Sequence, residues 1–159
     1  MYKVLIVDDE RIVRISMKTI IKWEANGFQL VGEAKDGISA LSMIKRLQPD
    51  IVITDLKMPN LDGIGLIKKL KETNFNGKVI VLSNYGDFEL IRDAMKLGAV
   101  DYILKMTMKA DEFVRILSQV AETLDAERAS SEKLAQAYTE LSESKAFVRN
   151  RFLSRILEE

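Results

Sequence analysis

Five short apolar runs, each followed by a stretch of different periodicity, most constrain how this chain can fold. Lys3 to Val7 (KVLIV) stops at Asp8, Phe28 to Ala34 (FQLVGEA) closes at Asp36-Gly37, and Ile51 to Thr54 (IVIT) stops at Asp55. Lys78 to Leu82 (KVIVL) leads to Ser83, and Asp101 to Leu104 leads to Lys105. Between them, Arg11 to Trp23, Ile38 to Leu47, Ile64 to Leu70 and Phe88 to Leu97 carry apolar residues at helical spacing, with Pro49 and Gly98 as stops. Strands alternating with helices of this length imply an α/β protein, a parallel sheet covered on both faces.

Ligands of such sheets bind beyond the carboxyl ends of the strands. Asp8-Asp9, Asp55, Ser83 and Lys105 each follow a strand, so four polar positions converge at one edge. A single strand-end aspartate ordinarily caps a helix, a lone lysine is ordinarily an exposed one, and a lone serine is a turn residue. The combination argues otherwise. Three carboxylates repel one another, and a divalent cation with oxygen ligands offsets that repulsion most simply, which suits Mg²⁺. Asp55 can act as a nucleophile, because carboxylates form acyl phosphates. Phosphoryl transfer needs positioning and charge neutralisation. Mg²⁺ supplies charge on one side of the phosphoryl group and Lys105 on the other, while the Ser83 hydroxyl can donate to a phosphoryl oxygen.

Composition narrows the alternatives. Histidine and cysteine are absent, which excludes serine–histidine catalysis, disulfides, thiol chemistry and imidazole or thiolate metal sites. The 24 basic and 24 acidic residues balance, so no whole-chain charge favours nucleic acid or an anionic membrane. No apolar run approaches a membrane span, and MYKVLIVDDE lacks the features of a signal peptide, so the expected location is cytoplasmic.

Taken together, VDDE, ITDLKMPNLDGIGL, VLSNY and GAVDYILK resemble the response-regulator receiver domain. The likeness covers residues 1–122. It implies a flavodoxin-like sheet in the order 2-1-3-4-5. It also implies that Asp8 and Asp9 are the acidic pair, Asp55 the phosphorylated aspartate, and the backbone carbonyl of Lys57 a further metal ligand. Ser83 would be the switch hydroxyl, Tyr102 the switch aromatic and Lys105 the invariant lysine. Mg²⁺ dependence and a histidine kinase as phosphodonor are likewise implied. One departure stands out: the family usually places a cis proline after the lysine, and here the neighbour is Met106. A cis bond to a non-proline residue costs about 2.5–4 kcal/mol, so a trans bond is favoured, which puts the placement of Lys105 in question.

From about Lys109 there is no further strand, Gly or Pro. A heptad-like stripe runs through Leu117, Val120, Leu124, Leu134, Tyr138, Leu141, Val148 and Phe152, broken at Glu127, Ser131, Lys145 and Arg155. Residues 123–159 are therefore expected to continue helix five as a coiled-coil segment that pairs two copies. The first positions of the stripe are expected to pack on the sheet. WEANGFQLVGEAKDG and RNRFLSRIL resemble response regulators with an AraC-type DNA-binding output, the YesN type. No helix-turn-helix is identifiable after residue 110, so DNA binding would belong to a domain outside this sequence.

Two other readings compete. A Mg²⁺-dependent phosphohydrolase with an aspartyl nucleophile would place that nucleophile after the first strand with a second Asp two residues on, a spacing that Asp8-Asp9-Glu10-Arg11 breaks. A receiver-shaped scaffold with little phosphorylation control would dimerise equally with and without a phosphoryl mimic.

Overall fold

The computed structural model describes the backbone of residues 1–158 and the side chains of residues 1–143. Five strands, β1 Tyr2–Val7, β2 Phe28–Ala34, β3 Ile51–Asp55, β4 Lys78–Ser83 and β5 Asp101–Leu104, form one parallel sheet in the order β2-β1-β3-β4-β5. Five helices follow them: α1 Arg11–Ile20, α2 Gly37–Leu47, α3 Gly63–Glu72, α4 Phe88–Lys96 and α5 Ala110–Glu158. This is the doubly covered parallel sheet expected from the alternation, in the flavodoxin-like order that the resemblance implies.

β1, β3 and β4 are buried on both faces because their apolar runs are almost unbroken. Leu5, Val7, Val52, Val79 and Val81 point into a core shared with Ala40 and Ile44 of α2, Leu66 and Leu70 of α3, and Ala94 of α4. The residues of opposite parity, among them Ile6, Ile53 and Ile80, are also fully buried. Phe113 of α5 is buried as well and meets Trp23 edge-to-face, with ring centroids 5.4 Å apart.

α1 stops at Ile20, short of the expected Trp23. Ile21 is extended, and the Trp23 indole N–H donates to the Met17 carbonyl at 3.1 Å, satisfying one of the last helical acceptors. A 3-10 turn, Glu24–Asn26, then closes on Gly27, whose φ of 89° suits a residue without Cβ. α2 and α3 are capped by Asp36 and Asp62, which accept from Ser39 N and Gly65 N. The last turns of α2, α3 and α4 carry Lys45 and Arg46, Lys69 and Lys71, and Lys96, cations where the helix macrodipole is negative. These helices run antiparallel to the strands, so the basic turns lie at the amino end of the sheet.

The chain divides into two compact units, Met1–Ala121 and the remainder from Glu122. In the first, Leu117 and Val120 are buried. In the second, Leu124 is buried, whereas Leu134, Tyr138 and Leu141 are 70%, 74% and 54% exposed. The stripe positions Lys145, Val148, Phe152 and Arg155 lie outside the described side chains. Among the described residues, no helix is long and apolar enough to cross a membrane.

Candidate functional site

The strand register assembles the site. Val7 pairs with Thr54, so Asp8 and Asp55 are the next residues on adjacent strands. Asp55 pairs with Leu82 and Ser83 with Leu104, so Ser83 and Lys105 follow on the next two strands. Lys105 Nζ stands 2.8 Å from Asp8 Oδ2, 2.9 Å from Asp55 Oδ2 and 3.4 Å from Glu10 Oε1. Its side chain is 7% exposed although Met106, its neighbour, is exposed. The Lys105–Met106 peptide is trans and opens a 3-10 turn, Lys105–Thr107. Lys105 therefore reaches both carboxylates without a cis bond.

Asp8 is fully buried and Asp55 nearly so. Burial, the largest influence, pushes the Asp55 carboxyl up; Lys105 opposes it, and the Asp8 charge adds to the rise, leaving the pKa at about 6. Asp8 is raised too, again chiefly by burial and against the pull of Lys105. Burial of Lys105 disfavours its charge, but its bonds and attraction to Asp8 and Asp55 outweigh that, so its pKa rises and the ammonium stays charged.

One carboxylate oxygen from each of Asp8, Asp9, Glu10 and Asp55 lies within 4.8 Å of the others. Asp8 Oδ1 accepts from Glu10 N at 2.8 Å, while the buried Oδ2 has no aligned hydrogen-bond donor and only the ionic contact with Lys105. Four carboxylates gathered within this distance, with one buried ammonium among them, form an all-oxygen donor set that fits a hard divalent cation. Asp55 Oδ1 accepts from Leu56 N at 2.8 Å, and Oδ2 faces Lys105.

Gly63 lets α3 start directly against β3. A Cβ there would lie 2.3 Å from the Asp55 carbonyl oxygen. The loop between β3 and α3 is also tied to its neighbours. Asn60 donates to Asp36 at 3.0 Å, and the Lys57 ammonium pairs with Asp87 at 3.1 Å. Ser83 Oγ is fully buried and has no hydrogen-bond partner among the described residues. Val81 pairs with Tyr102 and Ser83 with Leu104, which puts Ser83 and Tyr102 on the same sheet face. The Tyr102 side chain is exposed.

Asp8, Asp9, Asp55, Ser83 and Lys105 thus gather at one sheet edge, Tyr102 lies on the last strand, and Lys57 is located by its ammonium on Asp87. Three participants escaped sequence reasoning. Glu10 follows the acidic pair directly and could have been added to it. Asp87 precedes α4, and nothing in its spacing marks its pairing with Lys57. Arg14, which donates to the Asp8 carbonyl oxygen at 2.7 Å, reads in sequence as one charge on an amphipathic helix.

A parallel doubly wound sheet with this strand order and acidic edge defines the class, and comparison with known proteins supplies the family. Residues 4–118 match the response regulator receiver domain, and the chain belongs to that family. It is the receiver of a two-component response regulator. It is 38% identical over 157 residues to the "Uncharacterized transcriptional regulatory protein YesN" of Bacillus subtilis, covering 99% of this chain and 42% of that protein. It is 42% identical over 124 residues to the "Transcriptional regulatory protein HptR" of Staphylococcus aureus, covering 78% of this chain and 48% of that protein. The chain thus spans less than half the length of these relatives. Among solved structures, the receiver domain of AraT from Geobacillus stearothermophilus matches with TM-score 0.74 and 35% identity, covering 80% of this chain and 98% of that one. A two-component transcriptional regulator AraC from Clostridium phytofermentans matches with TM-score 0.73 and 32% identity, covering 81% and 99%.

Proposed function

We propose that Asp55 accepts a phosphoryl group from a histidine kinase, and that Ser83, Tyr102 and α5 relay its presence to a DNA-binding output in a longer protein. The observation that carries this reading is the Lys105 ammonium held within 2.9 Å of both Asp8 and Asp55, beside a cluster of carboxylate oxygens. An Asp55 oxygen forms the new bond to phosphorus as the donor's bond breaks, and the leaving group departs with that bond's electron pair. With its pKa at about 6, Asp55 is largely ionised at neutral pH and able to attack. Asp8, Asp9, Asp55 and the Lys57 carbonyl would hold Mg²⁺, which supplies positive charge against the phosphoryl oxygens.

Lys105 keeps its charge through the reaction and can pass from the Asp55 carboxylate to a phosphoryl oxygen. The Ser83 hydroxyl, buried without a partner among the described residues, gains one when a phosphoryl oxygen arrives. Tyr102, on the same sheet face, would turn inward as Ser83 moves, a bias between two packed states. Residues 1–122 act as the receiver. Residues 123–159 form the segment that pairs two copies through the exposed Leu134, Tyr138 and Leu141, in the cytoplasm.

Incubation with acetyl phosphate and Mg²⁺, followed by intact-mass measurement, tests the reading. One added phosphoryl group is expected in the wild type and none in Asp55→Asn. Absence of uptake by the wild type, or undiminished uptake by Asp55→Asn, overturns it.

A further inference from the structure

Arg14 sits where a helix is least hospitable to a cation. α1 begins at Arg11 and has no acidic residue in its first turn, and its N-terminal peptide N–H groups make that end partly positive. Yet the Arg14 side chain is 14% exposed. What holds it is a pair of oxygens from two other elements. Nη1 donates to the Asp8 carbonyl at the tip of β1, at 2.7 Å, and Nε donates to the Glu33 carboxylate on β2, at 3.2 Å. Lys18, one turn further along α1, forms a second ion pair with Glu33. Lys18 above all holds the Glu33 carboxyl below its usual range; burial opposes it and Arg14 adds to the lowering, so it stays a charged anchor.

The other side of Asp8 is fixed as well. Its N–H donates to the Ala34 carbonyl of β2 at 3.0 Å. The backbone of Asp8 is thus gripped at both ends, and its Oδ1 is occupied by Glu10 N. Its Oδ2 meets Lys105 Nζ at 2.8 Å, and the carboxylate belongs to the acidic cluster.

We propose that Arg14 is a positioning residue for metal binding: its guanidinium clamps the tip of β1 to β2 and holds the Asp8 carboxylate in the acidic cluster, where it can ligate a cation. This rests on the phosphoryl-acceptor reading and adds to it the element that orients the acidic pair. A planar fork serves two acceptors at a fixed angle, which a lysine ammonium does not. Partners that orient metal ligands from outside typically change metal affinity by about 10–100-fold when removed.

The test is Mn²⁺ binding by electron paramagnetic resonance on the wild type, Arg14→Met, Arg14→Lys and Glu33→Gln, each checked for native circular dichroism. Arg14→Met keeps the apolar stem and is expected to weaken Mn²⁺ binding about tenfold, with Arg14→Lys recovering little of it. Glu33→Gln loosens the clamp from β2 at a partly exposed position and is expected to weaken binding in the same direction. The maximal rate of phosphorylation by acetyl phosphate at saturating Mg²⁺ is expected to stay within about twofold of wild type, because the defect lies in affinity. Unchanged Mn²⁺ affinity in folded Arg14→Met and Glu33→Gln overturns the proposal, as does a rate deficit that saturating metal leaves in place. A wild type that binds no Mn²⁺ overturns both this proposal and the reading beneath it. A wild type that binds it, with variants equal to it, overturns this one alone.

Discussion

The Lys57 ammonium lies 3.1 Å from the Asp87 carboxylate, joining the loop after β3 to the loop after β4. The two residues contribute unequally. Asp87 is 8% exposed and also accepts from Asn84 N at 3.0 Å, whereas the Lys57 side chain is 68% exposed. The Asn84 bond first, and Lys57 after an opposing effect of burial, hold the Asp87 carboxyl below its usual range. Asp87→Ala is therefore expected to destabilise the fold by about 1–2 kcal/mol, since it strands a backbone N–H. Lys57→Ala should cost no more than about 0.5 kcal/mol, because solvent screens the exposed partner. Urea denaturation at neutral pH measures both, and equal losses would contradict this division.

Asp55 makes stability depend on pH in an unusual direction. Its folded pKa of about 6 lies above the ordinary 3.8, so the folded state binds a proton more readily than the unfolded chain. The stability this group supplies is complete below its unfolded pKa and is lost as pH rises through about 6. The loss amounts to at most about 3 kcal/mol. In EDTA, the wild-type denaturation midpoint is expected to decrease as pH rises from about 5 to about 7.5. Asp55→Asn should show a flatter profile and exceed the wild type at the upper end. A wild-type profile that rises across this window would refute the assignment.

Gly63→Ala tests the close approach of α3 to the site. The added methyl would overlap the Asp55 carbonyl, and the neighbouring atoms are backbone. A loss of about 1–3 kcal/mol is expected from forcing the two segments apart. Thermal denaturation measures it, and a variant as stable as wild type would show that the β3–α3 loop yields freely.

Leu134, Tyr138 and Leu141 present three large apolar side chains along one helical stripe. If they pair two copies, replacing Leu134 and Leu141 with Glu should shift sedimentation velocity toward the monomer while leaving the circular dichroism of Met1–Ala121 intact. An unchanged mass would remove the coiled-coil proposal and leave the receiver assignment untouched.

The sheet was legible because β1, β3 and β4 are continuous apolar runs, a pattern only a doubly covered strand needs. Asp55 and Ser83 prove to be the last residues of their strands, one beyond the apolar runs, because a strand's final carbonyl and N–H can pair whatever the side chain is. The end of α1 was less legible. Trp23 fits helical spacing but folds back to cap Met17 and to meet Phe113 of α5, a packing that local periodicity does not encode. At the site, Asp8, Asp55, Ser83 and Lys105 could be found by their place after strands. Arg14 could not, since its partners Asp8 and Glu33 are joined to it only by tertiary packing. The trans Lys105–Met106 bond agrees with the ordinary cost of a cis peptide, and the position of Lys105 shows that proline is not required there.

The basic last turns of α2, α3 and α4 have a consequence for encounters in solution. Lys45, Arg46, Lys69, Lys71 and Lys96 crowd the amino end of the sheet, while Asp8, Asp9, Glu10 and Asp55 crowd its carboxyl end. Within Met1–Ala121, these basic helix ends and the acidic cluster therefore occupy opposite ends of the strands. A cation that nears the carboxyl end meets the carboxylates at short range only, since salt at 0.1 M screens such attraction beyond about 10 Å.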